Sequence, residues 1–260
     1  MILHDKKQIE KFLREDTPLF IYHIGDLDDF YWNYTTWIAL KEDSVKAILL
    51  LYTAVNPAVL LALSSEDKKG KLKDLLNSSL HLLPNKFYSH LTPGIEEVLL
   101  PYYNLDSHGK YQKMVLSDES KSDNFKNADV IKLKPGDIKE IQYLYKESYP
   151  DNSFDPRMLE TGTYFGIKDE SKLVSIAGVH VYSQKYKVAA LGNITTHPEF
   201  RGKGYGKQVT AHLCRYLLKK VKTIGLNVSQ SNSAAIKCYQ ELGFKFTAPY
   251  LEYMIEKNIK

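Results

Sequence analysis

The chain has 260 residues, 43% of them hydrophobic and 25% charged, which excludes disordered, collagen-like and low-complexity classes. The net charge of +4 is too mild to argue for nucleic acid, but it is uneven. Residues 1–125 hold 14 Lys+Arg against 18 Asp+Glu, and residues 126–260 hold 21 against 13. Two cysteines, Cys214 and Cys238, make neither a disulfide framework nor a CxxC metal spacing, so a reducing cytoplasm and no bound metal are expected.

In chain order, Met1–Lys7 is charged and has no apolar core, unlike a secretory signal. Residues 6–14 have helical spacing, with Ile9, Phe12 and Leu13 on one face. Strands are expected at 37–40, 45–52 and 58–63. The uncharged run 47–65 approaches the length of a membrane span, but Asn56-Pro57 breaks it, so two strands and a turn are the better reading and no membrane partner is expected. A helix is expected at 71–83 and a strand at 86–91. A second helix is expected from Thr92-Pro93 to Leu100, and a strand at 111–116. Residues 117–127, polar and without periodicity, read as a linker between domains 1–125 and 126–260.

The second half starts with a strand at 129–133 and a helix from Pro135 to about 147, followed by a short helix at 155–161. Strands at 163–168, 172–182 and 187–196 lead to a helix at 204–221, a strand at 223–228 and a helix at 232–242. Strands at 245–247 and 250–256 end the chain. Both halves thus show three strands, helix, strand, helix, strand. The expected class is α/β (α+β): two domains, each a mixed, mainly antiparallel sheet flanked by helices, the first a degenerate copy of the second.

The chemistry concentrates in Asn193-Ile-Thr-Thr-His-Pro-Glu-Phe-Arg-Gly-Lys-Gly-Tyr-Gly-Lys207. A β-branched strand enters a glycine-alternating loop that opens an amphipathic helix. Such a turn directs free backbone N–H groups and the positive end of a helix dipole at one anion, and a pyrophosphate suits it. It is neither a P-loop, since Lys207 is followed by Gln208, nor a GxGxxG fingerprint. Further on, Asn232 lies near a helix start, Tyr239 follows two turns later, and Gly243 stops the helix.

These two segments resemble the Gcn5-related N-acetyltransferase (GNAT) family. Arg201-Gly-Lys-Gly-Tyr-Gly206 fits its [RQ]-x-x-G-x-[GA] loop, and Asn232-x-x-Ala235-x-x-x-Tyr239-x-x-x-Gly243-Phe244 fits its second cofactor segment. The lead-in Gly192-Asn-Ile-Thr-Thr-His-Pro198 is most similar to the branch with glycine N-acyltransferase-like proteins. The likeness covers residues 128–257 and implies a GNAT fold there. It also implies transfer of an acetyl group from acetyl-CoA directly to an amine acceptor.

By the same resemblance, Ile194, Thr195 and Thr196 pair with the pantetheine arm, and an amide there polarises the thioester carbonyl. The amides of Gly202, Lys203, Gly204, Tyr205, Gly206 and Lys207 hold the pyrophosphate, with Arg201 opening the loop. Asn232 contacts the pantetheine or its neighbourhood, and Tyr239 is the acid for the leaving thiolate. The carboxylate that many relatives carry on the preceding strand is missing from Val188–Ile194, which leaves His180, Tyr182, His197 or a water as the base. Neither cysteine is placed to be a nucleophile.

The first half has Ser64–Gly70 where the phosphate loop would lie, with one glycine and two acids. A substrate or homodimer role remains for it. Asp26, Asp28 and Asp29 could attract a cationic amine or be solvated caps. A hydroxyl acceptor, a longer acyl chain and a non-catalytic acyl-CoA-binding module stay open as alternatives.

Overall fold

A computed structural model of the protein describes residues 1–125 and 129–258. By contact density the chain divides into two units. The first comprises Met1–Lys113, Val228–Ser231 and the chain from Thr247 on; the second comprises Met114–Asn227 and Asn232–Phe246.

In the first unit, α1 (Lys6–Leu13) is capped by Asp5, whose carboxylate accepts from the Lys7 and Gln8 amides, and it buries Ile9, Phe12 and Leu13 as their spacing predicts. Short helices α2 (Ile21–Asp26) and α3 (Asp29–Trp32) lead to β1 (Thr35–Lys41), β2 (Val45–Tyr52) and β3 (Ala58–Ala62). β1, β2 and β3 pair antiparallel in sequence. The apolar run at 47–65 is therefore two strands and a turn, and no helix among the described residues is long and apolar enough to cross a membrane. Helix α4 (Lys69–Ser79) crosses over so that β4 (Lys86–Leu91) pairs parallel with β3. β11 (Phe244–Lys257) pairs antiparallel with β4 through Leu251–Glu256, and β5 (Tyr103–Leu116) lies beside it. Leu72 and Leu76 of α4 meet Leu49, Leu60, Phe87 and Ile255 in the core.

In the second unit, β6 (Val130–Lys132), β7 (Phe165–Asp169), β8 (Lys172–Ser183) and β9 (Val188–Thr196) form an antiparallel series, and β10 (Thr223–Ser229) pairs parallel with β9. α5 (Ile138–Ser148) and α6 (Tyr205–Leu218) both pack on β8 and β9, and α7 (Ser233–Glu241) precedes β11. The fold is thus mixed α/β, mainly antiparallel, with flanking helices.

Four expectations are corrected. The helix expected at 92–100 is only a 3-10 turn, Glu96–Val98. Gly94 takes a φ of +92° and the Thr92 hydroxyl is spent on Ser64, so the first helical turn never forms. The strand expected at 111–116 begins at Tyr103, and the two terminal strands are the single β11, which tolerates Pro249 outside its ladder with β4. Of the segment read as a linker, residues 117–125 are tied down. They contain a 3-10 helix, Glu119–Asn124, and Arg215 of α6 donates to the Ser122 and Phe125 carbonyls. Residues 126–127 lie outside the described residues.

Candidate functional site

The loop after β9 turns through a 3-10 helix, Pro198–Phe200, and reaches α6 through Gly202 and Gly204, with φ of +80° and +81°. An L side chain at either glycine would be strained. Gly204 is the N-cap of the fourteen-residue α6 and no side chain caps it, so the amides of the first turn face outward. A Cβ at Gly202 would meet nothing within 4 Å, whereas one at Gly206 would lie 3.0 Å from Thr196 Oγ1. Gly206 therefore lets the helix start approach β9 closely.

The loop's cations are partly engaged. The Arg201 guanidinium donates to the Thr196 carbonyl at 3.2 Å and the Ser148 carbonyl at 3.4 Å, fastening the loop to β9 and α5. The Lys207 ammonium pairs with Glu241 and lies 5.1 Å from the Phe125 ring centroid, so its charge is shared with an acid. Lys203 lies 4.6 Å from the Phe200 ring centroid. Tyr205 is half-buried, its hydroxyl 3.5 Å from Asp169.

β9 carries the second element. Gly178 faces Gly192 and Ile176 faces Thr195, so Ala177 alone opposes Asn193 and Ile194. This is a β-bulge, which takes backbone groups out of the regular ladder. Asn193 has a φ of +53°, a region asparagine tolerates better than most side chains. Thr195 Oγ1 donates to Ser148 Oγ at 3.2 Å, and the Thr196 and Ser175 hydroxyls are 2.9 Å apart. Ile194, Thr195 and Thr196 thus end β9, with Thr196 beside Gly206 in the first turn of α6.

On α7, Asn232 Oδ1 accepts from the Ala235 amide at 3.0 Å, so this exposed residue is at least a helix cap. Tyr239 is half-buried, its ring 6.0 Å from that of Phe244. Burial, with Cys238, Tyr149 and Cys214 adding to it, pushes its phenol well above the ordinary tyrosine range. It stays protonated at any working pH. Burial also pushes Cys238 up to about 11 and Cys214 up to about 12, which leaves little thiolate for nucleophilic attack.

The base candidates separate. His197 is buried with its Nε2 3.2 Å from Lys172 Nζ, and the Tyr182 hydroxyl reaches Gln184. The His180 imidazole lies across Gly192, where an added Cβ would come within 1.9 Å of it, next to the bulge. Of the three first-half carboxylates, Asp28 caps α3, Asp29 pairs with Lys6, and Asp26 is buried, with its carboxyl pushed well up by desolvation. They form no exposed acidic trio. Among the described residues no cluster of His, Cys, Asp and Glu could hold a metal.

The sequence reading missed Tyr145, Tyr164 and Asn193. The Tyr145 hydroxyl donates to the Asn193 carbonyl at 2.8 Å, and Asn193 Nδ2 donates to the Tyr164 hydroxyl at 3.1 Å. Only the unusual Gly-Asn pair ending an apolar strand hinted at a bulge.

Comparison with known proteins bears on family and fold. The model of the acetyltransferase (GNAT) family matches residues 135–244. The Escherichia coli K12 [ribosomal protein bS18]-alanine N-acetyltransferase is 31% identical over 97 residues, 37% of this chain, and the chain spans 64% of that relative's length. In fold, a Drosophila protein has a TM-score of 0.72 at 12% identity, covering 98% of this chain and 97% of its own. A GNAT-family acetyltransferase of Colwellia psychrerythraea has a TM-score of 0.59 at 13% identity, covering 99% of each. Residues 135–244 thus match the acetyltransferase (GNAT) family, and the chain shares the fold of solved members of that family.

Proposed function

We propose that the protein is an N-acetyltransferase that uses acetyl-CoA and passes the acetyl group directly to an amine. The observation that carries this is the uncapped start of α6, reached through two positive-φ glycines and set against Thr196 at the end of the bulged strand β9. Its amides fit a pyrophosphate, and nothing fills the space a Cβ would take at Gly202. When bound, acetyl-CoA supplies an activated acyl group.

The chain's own residues then have separate tasks. The Gly202–Lys207 amides hold the phosphates, with Arg201 fastening the loop. Ile194–Thr196 align the pantetheine arm by backbone pairing, and an N–H of the bulge takes the negative charge that develops on the carbonyl oxygen. Asn232 borders the arm from the α7 cap. Tyr239, which keeps its proton, donates a hydrogen bond to the leaving sulfur as its charge grows. His180, across Gly192, is the side chain best placed to receive the amine's proton directly or through water. No covalent enzyme intermediate is needed, in keeping with two protonated thiols.

Because the E. coli relative is an alanine N-acetyltransferase, a peptide N-terminal α-amine is the first acceptor to try. A reducing, cytoplasmic setting suits the free cysteines. The test is calorimetric titration with acetyl-CoA, then thiol release with peptide N-termini, lysine peptides, polyamines and small amines. Micromolar binding with amine-dependent release is the expected result. Binding without release on any amine would leave an acyl-CoA-binding module, and no binding would refute the reading.

A further inference from the structure

We propose that Tyr145, Asn193 and Tyr164 are positioning residues: a buried relay that holds the β9 bulge in shape and so sets how strongly a bound acyl carbonyl is polarised. The inference rests on the acetyl-CoA reading above. It goes beyond that reading in assigning the oxyanion geometry to three side chains instead of the strand's backbone alone.

A bulge by itself is a soft feature, one residue too many between two ladder segments. Here it is gripped from two directions. From α5, the Tyr145 hydroxyl donates to the Asn193 carbonyl at 2.8 Å. From the residue before β7, the Tyr164 ring crosses β8 over Gly178, where an added Cβ would come within 2.1 Å of it. The Tyr164 hydroxyl donates to the Val179 carbonyl at 2.9 Å and accepts from Asn193 Nδ2 at 3.1 Å. Phe154 packs against both tyrosines, with ring centroids 5.3 and 5.5 Å away.

The directions of these bonds are forced. A carbonyl can only accept, so the Tyr164 proton belongs to Val179, and the Tyr164 oxygen must then receive an N–H. Asn193 therefore presents Nδ2 to it, and its Oδ1 is left buried without a partner. An unpaired buried acceptor costs about 1–3 kcal/mol. Asparagine at positive φ is itself less comfortable than glycine. A chain that needed only the backbone shape would do better with glycine at 193. The asparagine, 3% exposed, costs stability twice, and what it contributes is the bond to Tyr164.

The test uses the full chain with acetyl-CoA isotope-labelled at its carbonyl. Infrared difference spectroscopy reads the polarisation of the bound carbonyl, and calorimetry reads affinity, so no acceptor need be known. Tyr145→Phe and Tyr164→Phe keep the rings, and Asn193→Gly keeps the backbone shape. In each, the bound carbonyl band should move back toward its solution frequency while Kd changes less than about 2-fold. Thiol release with any active amine should fall about 10-fold in kcat with little change in KM. Carbonyl bands identical to wild type in all three variants would overturn the relay's role. So would loss of acetyl-CoA binding in all three, since the residues would then only support the fold. Failure of the wild-type protein to bind acetyl-CoA would instead sink the functional reading, and this inference with it.

Discussion

Among the described residues each unit contains a strand–helix–strand passage whose two strands pair parallel, and the two make a controlled comparison. In the second, β9–α6–β10, the helix begins at a positive-φ glycine with no side-chain cap, after a strand broken by a bulge. In the first, β3–α4–β4, the β2–β3 register runs through Val59, Leu60 and Leu61 without a shift. Its helix, likewise without a side-chain cap, has Lys68 as N-cap with a φ of −102°, the last residue of a 3-10 turn, Glu66–Lys68. Glu66 pairs with Lys69, so acids already sit where an anion would be drawn to the helix start. A shared architecture thus opens onto a positive-φ glycine loop in one place, where the anion site is proposed, and onto an acidic 3-10 turn in the other. The difference lies in a few loop residues and one extra strand residue.

The first unit's unusual chemistry is inside. Tyr88 and Tyr250 donate to Glu252, His90 Nε2 lies 3.4 Å from that carboxylate, and Lys113 Nζ is 4.7 Å from the Tyr22 ring centroid and 5.4 Å from that of Tyr250. Burial drives Lys113 down to about 7, against the pull of Glu252 and Asp16, and drives His23 down to about 3, with the Lys113 charge adding to it. Such groups cost stability when charged.

The largest effect expected from this contrast is on that unit's stability. Above pH 7 the folded chain has released the Lys113 proton while the unfolded chain keeps it up to about 10.5, so stability must rise with pH across that window. The full span corresponds to on the order of 5 kcal/mol. Denaturant melts of wild type and Lys113→Met between pH 7 and 9.5 should show a slope in the first that is largely absent in the second. Equal slopes would mean that Lys113 is solvated.

Next in size, Tyr239→Phe should lower kcat about 100-fold with acetyl-CoA affinity kept, read by thiol release and calorimetry. A variant as fast as wild type would remove the assigned proton donor. The pairing of Gly204→Val with Gly70→Val addresses the comparison directly. The first strains the site's backbone and should weaken acetyl-CoA binding about 10- to 100-fold. The second, at a position where a Cβ meets nothing within 4 Å, should leave it unchanged. Equal losses would mean that both passages bind the ligand, or neither. Smallest, Asn232→Ala removes a helix cap and should cost about 1 kcal/mol in melts. A larger drop in acetyl-CoA affinity than in stability would show that the side chain also meets the ligand.

Much of this was legible in the residues. Helical spacing over 6–14 and the Asn56-Pro57 break are local features, and local features survive folding. The short turn at 96–98 was not legible, because Thr92 had a distant competitor in Ser64. Nor was the committed state of Lys207, whose partner Glu241 lies 34 residues away. The acidic trio at Asp26, Asp28 and Asp29 dissolved because a cap, an ion pair and a buried position took one carboxylate each.

By itself, the sequence determined the glycine-alternating loop proposed to hold the pyrophosphate. Its alternating glycines and the helix period after them act through the backbone of a dozen consecutive residues, and no distant partner is needed. The bulge and its grip were decided only by tertiary structure. Asn193 is fastened to Tyr145, 48 residues away, and to Tyr164, 29 residues away, across a strand that only Gly178 makes passable. No spacing rule connects those positions, because a sheet brings residues together by register and not by distance along the chain.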